Sequence, residues 1–286
     1  MCVRSRSLFV FVLIGLAGAA WCQCPNAVQS QAEQGTGPRN FVVREVQFVT
    51  LGLSSFAEQN QVAASLVGLC FAENKKDDLE ERIRFGFQRL GFFKVQVLTV
   101  KVEAPDSANP PTVSVTARVD EGARYRLKSI TFTGNKAISN PTALRNQFPI
   151  ADGELFDRES VSKGLEDLRY AYAQLGYINF SAVPETQIDE DRKLISLTID
   201  CDEGRQFVIR SFTIKGADQQ TETALRALWR QMLQPGQIYN ARLIKYFFEQ
   251  AQTLLPGASP EKNLTLEQNS RQNTVDIVLN TGSNAN

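Results

Sequence analysis

The residues that could do chemistry in this 286-residue sequence are few, and histidine is not among them. Its absence removes the commonest general base and zinc ligand, so a Ser-His-Asp enzyme and a histidine-based zinc hydrolase are excluded by inventory. Carboxylates come in three clusters. Asp120-Glu121-Gly122 and Asp202-Glu203-Gly204 read as turns, with solvated carboxylates and a glycine supplying positive φ. Asp189-Glu190-Asp191 has some likeness to a calcium loop but lacks the glycine and the distal glutamate of one, so it reads as an exposed hairpin tip. No Gly-rich phosphate loop and no Gly-x-Ser-x-Gly turn occurs. The sequence therefore predicts no catalytic residue, no cofactor and no metal, and thus no enzyme. Thirty-one basic and thirty-one acidic residues cancel, which leaves no global field for nucleic acid.

Cysteine is the other reactive type, and its meaning depends on compartment. Arg4 and Arg6, the apolar run Leu8 to Leu16 and the small residues Ala17-Gly18-Ala19-Ala20 read as a cleaved export signal over 1–22. The run is shorter than the roughly 20 residues a membrane-spanning helix needs. Export permits disulfides. Of five cysteines, Cys2 leaves with the signal and Cys22 borders it, while Cys24, Cys70 and Cys201 remain. Cys70 aligns with Leu155 and Ile238, and Cys201 with Val119 and Leu279. Both read as small core hydrophobes, with a disulfide to Cys24 or between units as the alternative.

Those alignments come from a repeat. Val119-Asp120-Glu121-Gly122 and Tyr125 to Gly134 return as Cys201-Asp202-Glu203-Gly204 and Phe207 to Gly216, at a constant offset (204 − 122 = 216 − 134 = 82). A fixed offset in separate pieces means one small module used repeatedly. After a flexible lead-in at 23–40, three units follow at 41–122, 123–204 and 205–282. The connections Ala123-Arg124 and Arg205-Gln206 are too short for free coil, so successive units are expected to pack.

In the middle unit, Leu127 to Phe132 alternates as a half-buried strand. Asn140-Pro141 opens a short helix. Asp157 caps a second, whose stripe Val161, Leu165, Leu168, Tyr172 and Leu175 recurs at helical spacing. Gly176 ends it. A hairpin completes the unit, with Tyr177 to Thr186 as its first arm and Ile195, Leu197, Ile199 and Cys201 facing inward on its second. The third unit repeats the stripe at Ile244, Phe248, Ala251 and Leu255 but has Leu254-Leu255-Pro256-Gly257 where the others have Gly-Tyr or Gly-Phe. The expected class is α+β: three tandem β-α-α-β-β domains, each a three-stranded mixed sheet covered by two helices.

Leu90-Gly91-Phe92, Leu175-Gly176-Tyr177, the two Asp-Glu-Gly endings, Gly134-Asn135 and Gly153-Glu154-Leu155-Phe156 together resemble the polypeptide-transport-associated (POTRA) domain. Gly91, Gly122, Gly134, Gly176, Tyr177, Gly204 and Gly216 are the positions that define the repeat. The resemblance implies a periplasmic array like the arm of BamA-like outer-membrane assembly proteins, at the inner face of the outer membrane. Its implied partners are barrel proteins, unfolded barrel substrates and accessory lipoproteins. Only four residues follow Gly282, so an arm without a β-barrel is expected. The alternative is an envelope or cell-division structural protein that uses these units as docking modules. The candidate binding edges are the first hairpin arms, marked by Val95, Val97 and Thr99, by Ile178 and Phe180, and by Leu264 and Leu266, where an extended peptide could add a strand.

Overall fold

A computed structural model describes residues 40–72, 75–103, 105–108 and 110–282. The expected signal peptide, and the lead-in apart from Asn40, lie outside the described residues. The described chain divides into two compact units. One runs to Gly86 and includes Gln96–Asp120; the other joins Phe87–Val95 to the chain from Glu121 onward. The end of the first repeat's second helix and the turn after it thus belong with the second and third repeats.

In the first unit, β1 (Asn40–Thr50), α1 (Phe56–Leu66), β2 (Cys70–Ala72), α2 (Lys76–Arg89), β3 (Gln96–Val102) and β4 (Thr112–Asp120) form a sheet of order β2-β1-β4-β3. β1 and β4 are parallel and the outer strands antiparallel. The Ser55-x-x-Glu58 sequence starts α1 as a capping box: Glu58 N–H donates to the Ser55 hydroxyl, and Ser55 N–H to the Glu58 carboxylate. Val62, Leu66, Leu79 and Ile83 from the helices, with Val43, Val113, Val115, Ala117 and Val119 from the sheet, are buried. This sheet has a fourth strand beyond the expected three, because Cys70 to Ala72 pair with Val42 to Asn40.

The second repeat has β5 (Arg126–Thr133), α3 (Pro141–Arg145), α4 (Arg158–Ala173), β6 (Ser181–Asp189) and β7 (Leu194–Asp202), with sheet order β5-β7-β6. Asn140 caps α3 and Asp157 caps α4 through side-chain oxygens that accept backbone N–H groups. The α4 stripe enters the core with one exception: Leu175, past the helix end, is 40 % exposed, where the last turn tightens and its N–H donates to Tyr172 O at 2.9 Å.

The third repeat has β8 (Val208–Lys215), α5 (Gln219–Met232), α6 (Ala241–Gln250), α7 (Pro260–Asn263), β9 (Leu264–Asn269) and β10 (Thr274–Asn280), in the order β8-β10-β9. Phe212 stacks on Trp229 at 3.9 Å between ring centres, and Phe247 meets both edge-on. Among the described residues no helix is long and apolar enough to cross a membrane.

The two cysteines differ. Cys201 is a buried free thiol, with burial pushing its pKa up to about 11. Cys70 is half-buried and disulfide-bonded, so its expected reading as a free core residue is corrected.

Candidate protein-interaction site

Each sheet ends on the side away from its first strand in an antiparallel strand, β3, β6 or β9, with no described strand beyond it. Whether such an edge can accept a peptide depends on which backbone groups face outward, and the ladders decide this. Val208 N–H donates to Asn273 O across the parallel β8–β10 pair, so odd-numbered residues of β10 turn their backbone groups toward β8 and even-numbered ones toward β9. Leu264, Leu266 and Gln268 of β9 sit opposite the odd residues Leu279, Ile277 and Val275. Their C=O groups, and the N–H groups of Leu266 and Gln268, therefore point to the open side, while Leu264 N–H donates to Pro260 O. The register of this pair runs from end to end without a shift.

The other two edges are interrupted. Arg126 N–H donates to Lys193 O, so by the same alternation Pro184 of β6, opposite Ile199, has its nitrogen on the open side. Proline has no N–H to offer there. On β3 the register slips between Val97 and Thr99, which makes Leu98 a bulged residue, 45 % exposed. Bulges twist an edge away from further pairing.

The expected edge residues divide accordingly. Val97, Thr99, Leu264 and Leu266 lie in the outer strands, while Val95 is buried just before β3. Ile178 and Phe180 are not on an edge. Both lie in the turn before β6, which begins at Ser181. Phe180 is buried and stacks on Tyr172 at 4.0 Å, whereas Ile178 packs into the third repeat's core. A turn whose side chains serve two different cores alternates just as a strand does.

The turns carry the contacts that the repeat spacing announced. The glycines at 91, 122, 134, 176, 204 and 216 all have φ between 64° and 87°, and Tyr177 packs edge-on against Tyr172. At Gly134 a Cβ would stand 2.2 Å from the Cys201 carbonyl oxygen, so only glycine fits. At Gly176 it would meet Ile238 Cγ2 at 2.6 Å and Phe207 O at 3.2 Å. The Gly176 carbonyl accepts Phe207 N–H, and the Gly91 carbonyl accepts Tyr125 N–H, each at 2.9 Å. Phe93 packs beside Tyr125 and Phe156 as Ile178 packs in the third core. Lys94 reaches the hairpin tip at Glu190, and Asn179 reaches Gln268 at 2.9 Å.

Glu190 accepts hydrogen bonds from Lys94 and from the Tyr125 hydroxyl, the latter at 2.7 Å. These hold its carboxyl down to about 2. The Tyr125 phenol is pushed up, first by burial and then by that bond. In the third sheet Arg210 and Ser211 hold Asp276 down to about 2. The glutamate of Asp202-Glu203-Gly204 does more than solvate a turn. Glu203 Oε1 accepts Lys136 N–H at 2.6 Å, Ala137 N–H at 2.8 Å and the Tyr172 hydroxyl at 3.0 Å, which pins the loop after β5 to the end of β7. Its partners are 67, 66 and 31 positions away, so no local signal announced it. Pro184 was legible as an edge proline but for the strand's late start. Among the described residues no three His, Cys, Asp or Glu side chains cluster as metal ligands could.

Residues 125–204 match the family described as "POTRA: Surface antigen variable number repeat". The chain resembles the crystal structure of POTRA domains 3–5 of Haemophilus influenzae BamA with a TM-score of 0.64, at 20 % identity, covering 86 % of this chain and 98 % of that one. That likeness shows the fold: tandem POTRA domains. The outer membrane protein assembly factor BamA of Buchnera aphidicola is 23 % identical over 169 residues, 59 % of this chain and 26 % of its own length. A Treponema pallidum sequence is 24 % identical over 273 residues, 88 % of this chain and 30 % of its own length. The chain thus spans less than a third of these relatives.

Proposed function

We propose that this chain, whose fold is that of a tandem POTRA array, is a periplasmic scaffold that binds proteins during outer-membrane β-barrel assembly or secretion. It acts through noncovalent contacts, with no cofactor and no catalytic step, at the inner face of the outer membrane after export by a cleaved signal. Its partners are barrel proteins, unfolded barrel segments and accessory lipoproteins. The assembly-factor relatives support the setting, and the three repeats at 41–122, 123–204 and 205–282 are its working parts.

The observation that carries the binding mode is the unbroken edge of β9. Leu266 and Gln268 offer two backbone donors and, with Leu264, three acceptors to the open side, with no proline and no bulge. An extended segment of any sequence can pair there, which suits a scaffold that must receive many different strands. β3 and β6 are the weaker edges, blunted by a bulge and a proline.

The test is chemical-shift mapping of the labelled chain with peptides of about 9–11 residues that alternate apolar and polar side chains, the length of a barrel strand. Amides of 264–269 are expected to shift. Gln268→Pro removes an outward donor and leaves the ladder to β10 intact, so it should weaken binding several-fold relative to Gln268→Ala, which loses the same Asn179 contact but keeps the donor. Shifts confined to other regions, or unchanged affinity in Gln268→Pro, would sink pairing at this edge.

A further inference from the structure

We propose that the loop after β1 is a lipid-contact site, which seats the first repeat on the surface of a phospholipid bilayer through Val49, Leu51, Leu53 and Phe56. These four side chains are 53, 61, 64 and 58 % exposed and fall within the single stretch 49–56. A folded chain seldom leaves so many large apolar groups together in water unless something covers them. Their exposure is built in, because the loop is braced from inside. Gln59 Nε2 donates to Thr50 Oγ1, Ser54 O and Ser54 Oγ at 3.1, 3.2 and 3.1 Å, and the Ser55–Glu58 capping box fixes where α1 starts. The corresponding loops of the other two repeats turn their apolar residues inward. Ile138 packs against the second core and Ala217 against the third, and Asp218 follows at once as the cap of α5. Of the three loops, this one alone presents an apolar tip.

Size and charge both favour a bilayer over a protein as its occupant. Four such side chains expose on the order of a few hundred Å², short of the roughly 800 Å² that each partner gives a stable protein interface. A bilayer sets no such threshold, since each apolar side chain that leaves water is favourable on its own. Residues 46–57 carry no charge. The flanking charges are Glu45 and Glu58 on the chain and Arg118 across the ladder from Val49, and Glu58 turns its carboxylate back onto Ser55. No excess of positive charge is there to draw anionic lipid. The contact is therefore hydrophobic, with the leucines and the phenylalanine entering the boundary between headgroups and acyl chains. Which membrane is met rests on the periplasmic setting proposed above. The lipid contact itself is independent of strand pairing at β9.

Flotation of the mature full-length chain with phosphatidylcholine vesicles at millimolar lipid tests the contact. The chain should float with them equally at low and high salt, and no better when phosphatidylglycerol is included. Leu51→Ser combined with Leu53→Ser should lower the partition coefficient about tenfold and leave the melting temperature unchanged, because both leucines already face water. Phe56→Trp adds a probe whose emission should move to the blue on vesicles and be quenched by lipids brominated on their acyl chains. Wild-type emission, from the buried Trp229, should do neither. Gln268→Pro should bind vesicles as the wild type does, so a failure of pairing at β9 and a failure of this contact are read separately. No flotation, binding that needs phosphatidylglycerol or is lost in salt, or undiminished binding in the double variant would overturn the proposal. So would dimerisation of the chain that the double variant abolishes, which would give the patch to a second copy.

Discussion

The turn around Gly91 and the turn around Gly176 share one backbone design and differ in chemistry. Both glycines sit at nearly the same φ, 86° and 87°, and both carbonyls accept the N–H of the aromatic residue that opens the next repeat. Around the first, the side chains are aromatic and charged: Phe93 against Tyr125 and Phe156, Lys94 and Tyr125 on Glu190, Arg89 on Glu159 at 2.7 Å. Around the second they are aliphatic and neutral: Ile178, Asn179 with Gln268, and Gln206 donating to Leu175 O. The joint is thus specified by the main chain and one glycine, and the side chains are free to tune how it responds to salt and pH.

Replacing the glycines separates these contributions most strongly. Gly176→Ala forces a side chain into positive φ, at about 1–3 kcal/mol from backbone strain alone, and also drives Cβ into Ile238 and toward the Phe207 carbonyl. Gly91→Ala carries the same strain, but its nearest neighbour is the flexible tip of Leu155 at 3.1 Å. Thermal unfolding should therefore show the larger loss for Gly176→Ala. Equal losses would mean that strain, not packing, sets the cost.

Truncating the inserted side chains comes next. Phe93→Ala removes two edge-on aromatic contacts and should cost about 2 kcal/mol, below the range for fully buried phenylalanine because Phe93 is only partly buried. Ile178→Ala removes less surface and should cost about 1 kcal/mol. Denaturant midpoints at unchanged slope would measure both. A larger loss for Ile178→Ala would reverse the ranking of the two joints.

This pair of turns also marks how far the amino-acid pattern could be read. The helix stripe at Val161, Leu168 and Tyr172, the caps at Asn140 and Asp157 and the glycine turns are local signals, and each is where periodicity and spacing put it. Ile178 and Phe180 were not separable from a strand, because Phe180 points into its own repeat's core and Ile178 into the next, and two destinations mimic the two faces of a sheet. Glu203 looked like turn solvation because its partners come from a loop far away in sequence. The open edge of β9 was nameable at Leu264 and Leu266. Its advantage over β6 rests on the outward nitrogen of Pro184, which only the ladder to β7 reveals.

The smallest effect separates the joints by charge. Glu190 is titrated down to about 2 by Lys94 and Tyr125, so its contribution is complete above the ordinary carboxylate range and is lost only as pH falls toward 2. A carboxyl titration followed by NMR should place its midpoint near 2, and one near the ordinary glutamate value would mean the tip is not engaged. Because Lys94 and Glu190 are both about half exposed, the gain in stability is modest and screened by salt. Glu190→Gln should therefore lower the melting temperature slightly at low ionic strength and not at high. Asn179 and Gln268 carry no charge, so Gln268→Ala should be indifferent to salt. If both variants respond to salt alike, the charged tip contributes nothing that the neutral one lacks, and the difference between the joints is steric alone.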